Sequence, residues 1–576
     1  MNRTRTHLLV LAGAAALLLA GCGRDEPEAA PTTITPEARS LLAHVPADTP
    51  YLGGNLAALP DEIIDLQFQR FAPVTAEAQK VLDELRSGLE SEQPSDPADR
   101  LVLAVLSELD GNLSRTGLAS LGLDLQNVQA IYGMGAFPVA RISLSDAATL
   151  RATIERVLAN AGVTAEESRY RDVAYWRAPL DADEVPLAVY AAVLPTHLAV
   201  SLFPTSAEDE LLPAFLGLEL PADSDAAERL AALNAEHGFT PYMTFTMDLH
   251  RMADEFIDTD SVTLRALGAE GVAELSGMDA TCATEIHRIL DRFPRFTLGV
   301  SELETHATAF RGIVEMPTEL GDRLKALTAR IPAIGHAADH IADFAFGIRV
   351  GAARDFLRSE AQAVVDNPYQ CEQLAELNTR AQELLTQLDQ PMPPFVNNFR
   401  GFNFSLKTLE MDPDSMVPRD IRGHAAVQVE NPQMFIGMAQ MFLPDLSEME
   451  LAPGDEPVRV PEYLGSFQNI VAYAALSDDA IGISLGEGEQ NGLAAYLERA
   501  HAPAGILLAA EYDSAAWYRL QNRDLEAALS EDDSANPFLG LAKVASDTFE
   551  AVNDRHRVEV KFTSHGLVFD SRYTYK

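Results

Sequence analysis

The sequence predicts an α+β protein built from two tandem, internally duplicated units, residues 39–318 and 337–576. Segments that alternate polar and apolar residues, as strands do, occur between segments whose apolar residues recur at helical spacing. One strand–turn–strand pattern also occurs twice, because residues 187–202 and 470–485 match without gaps at an offset of 283. A pattern repeated at this length indicates that one structural unit is present twice.

The segments around this hairpin recur in the same order. Upstream, a strand that leads into a capped helix occurs twice, and a strand followed by an acid and a helix occurs twice downstream. The matched segments are Tyr51–Leu56 with Phe344–Val350, Ile142–Asp146 with Val427–Asn431, Tyr242–Asp248 with Ile506–Asp513, and the last hairpins through His306/His565 and Phe310/Phe569. Extra residues between Pro221 and Gly238 explain why the offset falls to 259 in the last hairpins.

Each unit is predicted to hold a mostly antiparallel sheet with helices on one face. The alternation in Arg557–Phe562 is typical of a sheet with one wetter face. Helical insertions over residues 60–118 and 352–390 follow the first strand of each unit. Residues 319–336 form the expected junction between the units.

The N-terminus has the three parts of a secretory signal. Arg3 and Arg5 precede an apolar run from Leu8 to Ala20, and small residues follow. The run is too short for a spanning helix, which needs about 20 apolar residues. Residues 1–21 are therefore predicted to be a signal peptide.

Leu19-Ala20-Gly21-Cys22 resembles the lipobox of bacterial lipoproteins. In that family the cysteine is acylated and becomes the first residue of the mature chain, which implies a lipid on Cys22. A secretory signal without lipidation is the alternative. Gly23 in place of Asp implies, by the same resemblance, sorting to the outer membrane with the body facing the periplasm. Residues 22–38, rich in Pro, small and acidic residues, are predicted to form a flexible tether.

The chain is strongly acidic. Removal of residues 1–21 would lower its formal net charge from −43 to −45. Nucleic acid and anionic membrane surfaces repel such a chain, so neither is an expected partner. The lipid is expected to supply the membrane attachment. We expect a protein partner in the envelope, with an apolar ligand as an alternative.

Cys282 and Cys371 are the two cysteines that lipidation leaves free. In an oxidising periplasm a disulfide between them would persist. Two buried free thiols are the alternative, and a Cα separation under about 7 Å would favour the disulfide.

Three further motifs have a structural and a functional interpretation. His336 and His340 are spaced as zinc ligands on a helix, but a polar junction is preferred. Met434, Met438 and Met441 are spaced for Cu(I) ligation or for a core-facing helix, and the core is preferred. Gly486–Gly492 resembles a phosphate loop, yet its two glutamates favour a simple turn. No cofactor, metal or catalytic residue is predicted.

No motif of a known enzyme class occurs, so the hypotheses on function are drawn from the domain organisation of the chain. The lipobox and the Val45–Tyr51 opening resemble uncharacterised envelope lipoproteins built from domains of unknown function. The leading hypothesis is a non-enzymatic scaffold or binding module, which exposed apolar patches would support. The alternatives are a carrier of a lipid or other apolar ligand, and a hydrolase whose site is assembled in space.

Overall fold

The computed structural model describes residues 33–92, 97–123, 125–162, 166–180, 186–271, 278–335, 340–411, 418–442, 449–461, 470–519 and 537–576. The predicted signal peptide and Cys22 lie outside these residues. The first described helix begins at Pro36, inside the range expected for the tether, because Thr35 caps it by accepting a hydrogen bond from the Ala38 amide.

The strands are short to medium in length, and most alternate buried and exposed side chains. In chain order they are β1 Tyr51–Gly54, β2 Gln129–Met134, β3 Phe137–Ser143, β4 Glu166–Tyr170, β5 Val173–Pro179, β6 Leu187–Val193, β7 His197–Pro204, β8 Thr244–Asp248, β9 Arg295–Glu304, β10 Ala307–Glu315, β11 Ala342–Gly347, β12 Phe399–Met411, β13 Pro418–Val429, β14 Val458–Arg459, β15 Ala472–Leu476, β16 Ala480–Leu485, β17 Ile506–Asp513, β18 Asn553–Thr563 and β19 Gly566–Tyr575.

The helices lie between these strands. They are α1 Pro36–Leu42, α2 Asp61–Arg70, α3 Ala72–Glu92, α4 Pro97–Leu109, α5 Arg115–Ser120, α6 Ala147–Ala161, α7 Glu208–Phe215, α8 Ala226–His237, α9 Leu249–Ile257, α10 Val262–Gly271, α11 Ala280–Leu290, α12 Thr318–Lys325, α13 Val350–Asp366, α14 Ala375–Leu388, α15 Pro394–Asn398, α16 Pro432–Phe442, α17 Gln490–Leu497 and α18 Pro537–Val552. The predicted α+β class is confirmed, since helices accompany one large antiparallel sheet.

All named strands belong to one series of antiparallel pairings, and β10 and β19 pair at its centre. From β10 outward the order is β9, β8, β1, β2, β3, β7, β6, β5 and β4. From β19 outward it is β18, β17, β11, β12, β13, β16, β15 and β14. The two orders correspond strand for strand except for β4.

Helix caps also correspond between the halves. The Asp146 carboxylate accepts a hydrogen bond from the Thr149 amide at 3.0 Å, and the Asn431 side chain accepts one from the Met434 amide at 2.9 Å. Asp248 and Asp513 each cap the helical turn that follows their strand, at 3.1 and 3.0 Å. These side chains satisfy amides that a helix start leaves without a partner, and so fix where each strand ends.

The prediction that helices cover one face of the sheet is wrong, because they pack on both. Tyr175 and Trp176 are neighbours in β5 and therefore point to opposite faces. Tyr175 belongs to the main core beneath α1 and α8, whereas Trp176 packs against Leu150 of α6 on the other side. Apolar residues on both faces of the outer strands make this necessary.

Among the described residues, helices of each half contact the other half, and two of these contacts differ in kind. Phe71, between α2 and α3, packs edge-on against Phe549 of α18, with ring centroids 5.3 Å apart. At the second contact Cys371, after α13, is bonded to Cys282 of α11, with Cα atoms 4.7 Å apart. The helices that follow β1 and those that follow β11 therefore both pack against the opposite half.

Candidate binding surface

One face of the sheet carries a continuous line of apolar residues. In the pairing register, directly opposed positions from β5 to β15 hold only apolar side chains or glycine. The line is Trp176, Ala191, Val200, Ala140, Ile131, Gly53, Phe245, Leu298, Gly312, Phe569, Val560, Leu508, Phe346, Phe402, Val427, Ile481 and Leu476. We call this side of the sheet the open face, although α6 covers its β5–β6 end at Trp176 and Ala191, and Arg70 lies over Tyr575 near the end of β19.

The open face keeps large apolar side chains in contact with solvent. Among the described strand residues, every large hydrophobic side chain that is exposed lies on this face. They are Ile131 (45% exposed), Phe402 (39%), Phe404 (36%), Ile483 (41%) and Phe569 (41%). Scattered exposed hydrophobic residues are ordinary, whereas a contiguous patch marks a site of interaction.

A stack of phenylalanines forms the most aromatic part of the open face. The Phe344 ring lies 5.2 Å from that of Phe402 and 5.5 Å from that of Phe404, and Phe346 lies 5.8 Å from Phe402. Cross-strand aromatic pairs of this kind stabilise a sheet and hold the rings in place. The rings therefore form a rigid, flat apolar surface.

The opposite face of the central strands is charged. Arg311 Nε donates to Asp570 at 2.6 Å, and Lys561 Nζ donates to the same carboxylate at 2.7 Å. Arg557 and Glu511 form another pair at 3.4 Å. The alternation noted in Arg557–Phe562 thus places ion pairs on one side and Val558, Val560 and Phe562 on the other. The charged side also holds a small buried cluster of Phe239, Ile313 and Val568, so it is only partly solvated. The exposed rings of the open face are the observation that favours it as the contact surface.

The two predicted site residues that the structure describes are not part of the apolar line, since neither lies in a strand. Cys282 and Cys371 lie in the disulfide, and Glu285 accepts hydrogen bonds from the amides of Gln370 and Cys371 beside it. These two amides hold the pKa of the Glu285 carboxyl below its usual value. The disulfide and these hydrogen bonds attach the segment around Cys371, in the second half, to α11.

The histidine pair, the methionine stripe and the glycine-rich turn each have a different outcome in the structure. His336 lies outside the described residues, and His340 bonds to Asp343 through Nδ1 at 3.2 Å. The core-facing reading of the methionine stripe is wrong for Met441, which is 72% exposed about two turns beyond Met434. In the glycine-rich turn Glu489 pairs with Lys407 at 2.8 Å, and a carboxylate there opposes phosphate binding.

A serine, a histidine and an aspartate meet in the second half without forming a triad. Both His340 and Ser405 hydrogen-bond to the Asp343 carboxylate, so the histidine does not reach the serine hydroxyl. Ser405 is buried, and hydrolysis needs a base that bonds the nucleophile directly. Burial raises the pKa of Asp343, but the hydrogen bonds from His340 and Ser405 outweigh it and lower the pKa overall.

The open face was missed by the sequence analysis, although one signal for it exists. Period-2 alternation in β12 and β19 places Phe402, Phe404 and Phe569 on one side, but only the pairing register shows that these sides coincide. Within the described part of the chain, no helix is both long and apolar enough to cross a membrane. The same residues hold no group of three or more side chains arranged to bind a metal ion.

No protein-family model, curated protein or solved structure matches the chain.

Proposed function

We propose that the protein is a non-enzymatic binding module of the cell envelope and that the open face contacts its partner, an envelope protein. The observation that carries the proposal is the unbroken apolar line, with exposed aromatic rings near the middle of the sheet. Aromatic side chains are enriched in protein interfaces, where they supply most of the binding energy. The stacked phenylalanines are already ordered, so little side-chain entropy is lost on binding.

The proposal includes a lipid anchor at Cys22 in the outer membrane, with the body in the periplasm. The lipobox-like Leu19–Cys22 segment supports it. Twelve residues lie between Cys22 and Thr35, which caps the first helix. An anchor of this kind would leave the acidic body free to turn toward a partner. Palmitate labelling tests it, since the Cys22→Ala variant should lose the label; equal labelling of both proteins would contradict the anchor.

The proposal also includes descent of the two halves from one duplicated unit. The matching order of strand pairings and the four matching caps support it. In the register, Leu52, Tyr132 and Val139 of the first half correspond to Asp343, Ser405 and His424 of the second.

An apolar ligand held on the same face is the second candidate. The flat stack of Phe344, Phe346, Phe402 and Phe404 is a surface on which an acyl chain or a ring system can lie. The two candidates share a site and differ in what occupies it, so one experiment separates them.

The experiment places a photo-crosslinking phenylalanine analogue at Ile131, Phe402 or Phe569 in intact cells. These positions lie on well-separated strands of the open face. Leu220, 59% exposed and outside the strands, is the matched control. We expect one and the same protein adduct from the three positions and none from Leu220.

Other outcomes contradict the proposal. Lipid adducts without protein would favour the carrier. Adducts that are equally frequent at Leu220, or none at all, would overturn the assignment of the open face. The double variant Phe402→Gln with Phe404→Gln, carrying the crosslinking analogue at position 569, should lose the adduct if a single partner contacts both regions of the face.

A further inference from the structure

A cleft of about 230 Å³ lies on the other side of the sheet from the open face, between α8 and the strands β1, β8 and β9. Its lining contains three arginines, although the chain as a whole is strongly acidic. They are Arg229, Arg251 and Arg295. We call it the arginine cleft. The acids that also line it are Glu236 and Asp248.

Hydrogen bonds to the backbone hold two of the guanidinium groups together, and an ion pair orients the third. Arg229 Nη1 and Arg251 Nη1 donate to the same acceptor, the Ala47 carbonyl oxygen, at 2.9 and 2.7 Å. Arg295 is fixed by Glu315, to which Nε and Nη2 donate at 3.0 and 2.9 Å. Two guanidinium groups that share one carbonyl oxygen lie close together and repel each other. An anion between them would reduce this repulsion.

Each of the three arginines has a carboxylate at ion-pair distance, but those near Arg229 and Arg251 leave guanidinium donors unused. Asp225 lies 3.6 Å from Arg229 Nη1, and Asp248 lies 3.7 Å from Arg251 Nε, both beyond hydrogen-bond distance. Asp248 also accepts a hydrogen bond from the Arg251 amide, and so caps α9. In the described residues neither Arg229 Nη2 nor Arg251 Nη2 donates a hydrogen bond, so both remain available to a ligand. Burial lowers the pKa of Arg229, and the charges of Arg251 and Arg295 add to this effect against the opposing influence of the two aspartates.

Two of the three arginines have no counterpart in the second half, whereas Arg555, opposite Asp513, takes the place of Arg295, opposite Asp248. Helix α8, which supplies Arg229, lies in the stretch between Pro221 and Gly238 that the sequence shows as extra. In the second half, the cap Asp513 is followed by Ala516 at the place of Arg251. The first half therefore adds Arg229 and Arg251 at a place where the second half has a single arginine.

We propose that the arginine cleft binds a phosphate group, either as the free ion or as part of a small phosphomonoester. A guanidinium presents N–H donors that match the oxygens of phosphate, and Arg229 and Arg251 each keep Nη2 available to donate to it. The volume equals that of about eight water molecules, enough for phosphate and a short organic group.

Isothermal titration calorimetry on the full chain in detergent, at constant ionic strength, tests the site with three probes: inorganic phosphate, glycerol 3-phosphate and acetate. Constant ionic strength is needed because salt screens charge-driven binding. We expect saturable binding of phosphate or glycerol 3-phosphate, and tighter binding of the second would identify a phosphomonoester as the ligand. Acetate should bind at least tenfold more weakly. Equal affinity for acetate would contradict the phosphate assignment.

Arginine variants locate the binding. Arg251→Gln should weaken phosphate binding at least tenfold. Arg251→Lys should restore only part of the affinity, because lysine lacks the paired N–H donors of a guanidinium. Arg323→Gln is the matched control, since Arg323 is 41% exposed against 43% for Arg251 and lies on α12. If Arg251→Gln does not fold, Arg295→Gln gives the same test. Absence of saturable binding, or equal loss in Arg323→Gln, overturns the proposal.

Discussion

The two halves of the sheet repeat one order of strand pairings but fill the space behind it with different chemistry. In the first half Leu52, Tyr132 and Val139 pack into a large apolar core. The corresponding positions of the second half hold Asp343, Ser405 and His424, and hydrogen bonds replace the packing. Strand order and caps are therefore compatible with either an apolar layer or a polar layer whose groups are satisfied. The repeated parts of the molecule are its backbone pairings, not its interior.

One buried charge in the first half has no counterpart in the second. Arg141 is fully buried, and no carboxylate pairs with it among the described residues. It donates to the Tyr132 hydroxyl at 2.9 Å, shares a hydrogen bond with His197 Nε2 at 2.7 Å and donates to two carbonyl oxygens of α7. Ala426 occupies the equivalent position.

Removing Arg141 is expected to have the largest effect on stability. Arg141→Ala leaves a cavity and removes the donor from four buried acceptors, so we expect a loss of about 4 kcal/mol in the free energy of unfolding. Denaturant titration followed by circular dichroism measures it. Arg311→Ala is the control, because that half-exposed ion pair with Asp570 should cost under about 1 kcal/mol. Similar losses in both variants would contradict the role assigned to Arg141.

Two of the contacts between the halves differ in chemistry. The disulfide closes one of them across a sequence separation of 89 residues, while Phe71 and Phe549 close the other without a covalent bond. We expect Cys282→Ser with Cys371→Ser to lower stability by about 3 kcal/mol, because the unfolded chain is no longer crosslinked. Urea denaturation with and without reductant measures this. An unchanged midpoint in the double variant, or a wild-type midpoint that reductant does not move, would contradict it.

The sequence was sufficient for the α+β class and for several strand ends, and insufficient for the surfaces. Alternation and caps at Asp146, Asp248, Asn431 and Asp513 placed strand ends correctly, because these signals are local. Helices on both faces, the open face and the arginine cleft depend on which strands pair. Phe346 and Phe569 share a face only because three strand pairings link β11 to β19, and no local pattern records that.

Acidification should act on the first half through its buried histidines. Burial, followed by the charge of Arg141, lowers the pKa of His44 to about 4 and that of His197 to about 3. Both are neutral in the folded protein but take up protons in the unfolded chain near pH 6.5, so their contribution to stability is lost as the pH falls from about 6.5 toward 4. We expect the melting temperature to fall by several degrees over this range.

His197→Gln should reduce this pH dependence, measured as melting temperature at pH 7 and pH 5. The exposed His565 at the β18–β19 turn provides the control, since His565→Gln should leave the pH dependence as in the wild type. A His197→Gln protein with an unchanged slope would show that the acid sensitivity lies elsewhere, for example at His556, whose pKa burial lowers to about 4.

The smallest effect tests whether the halves are equivalent where their structures agree. Asp146→Ala and Asn431→Ala each remove one side-chain cap from a helix that follows the same strand of its half, α6 or α16. Because the geometry of the two caps is nearly equal, each should cost about 1 kcal/mol, and the double variant should lose the sum. Denaturant titration of the two single variants and the double variant measures this. If one cap cost several times the other, stability at this point would depend on the differing interiors behind the strands and not on the repeated cap.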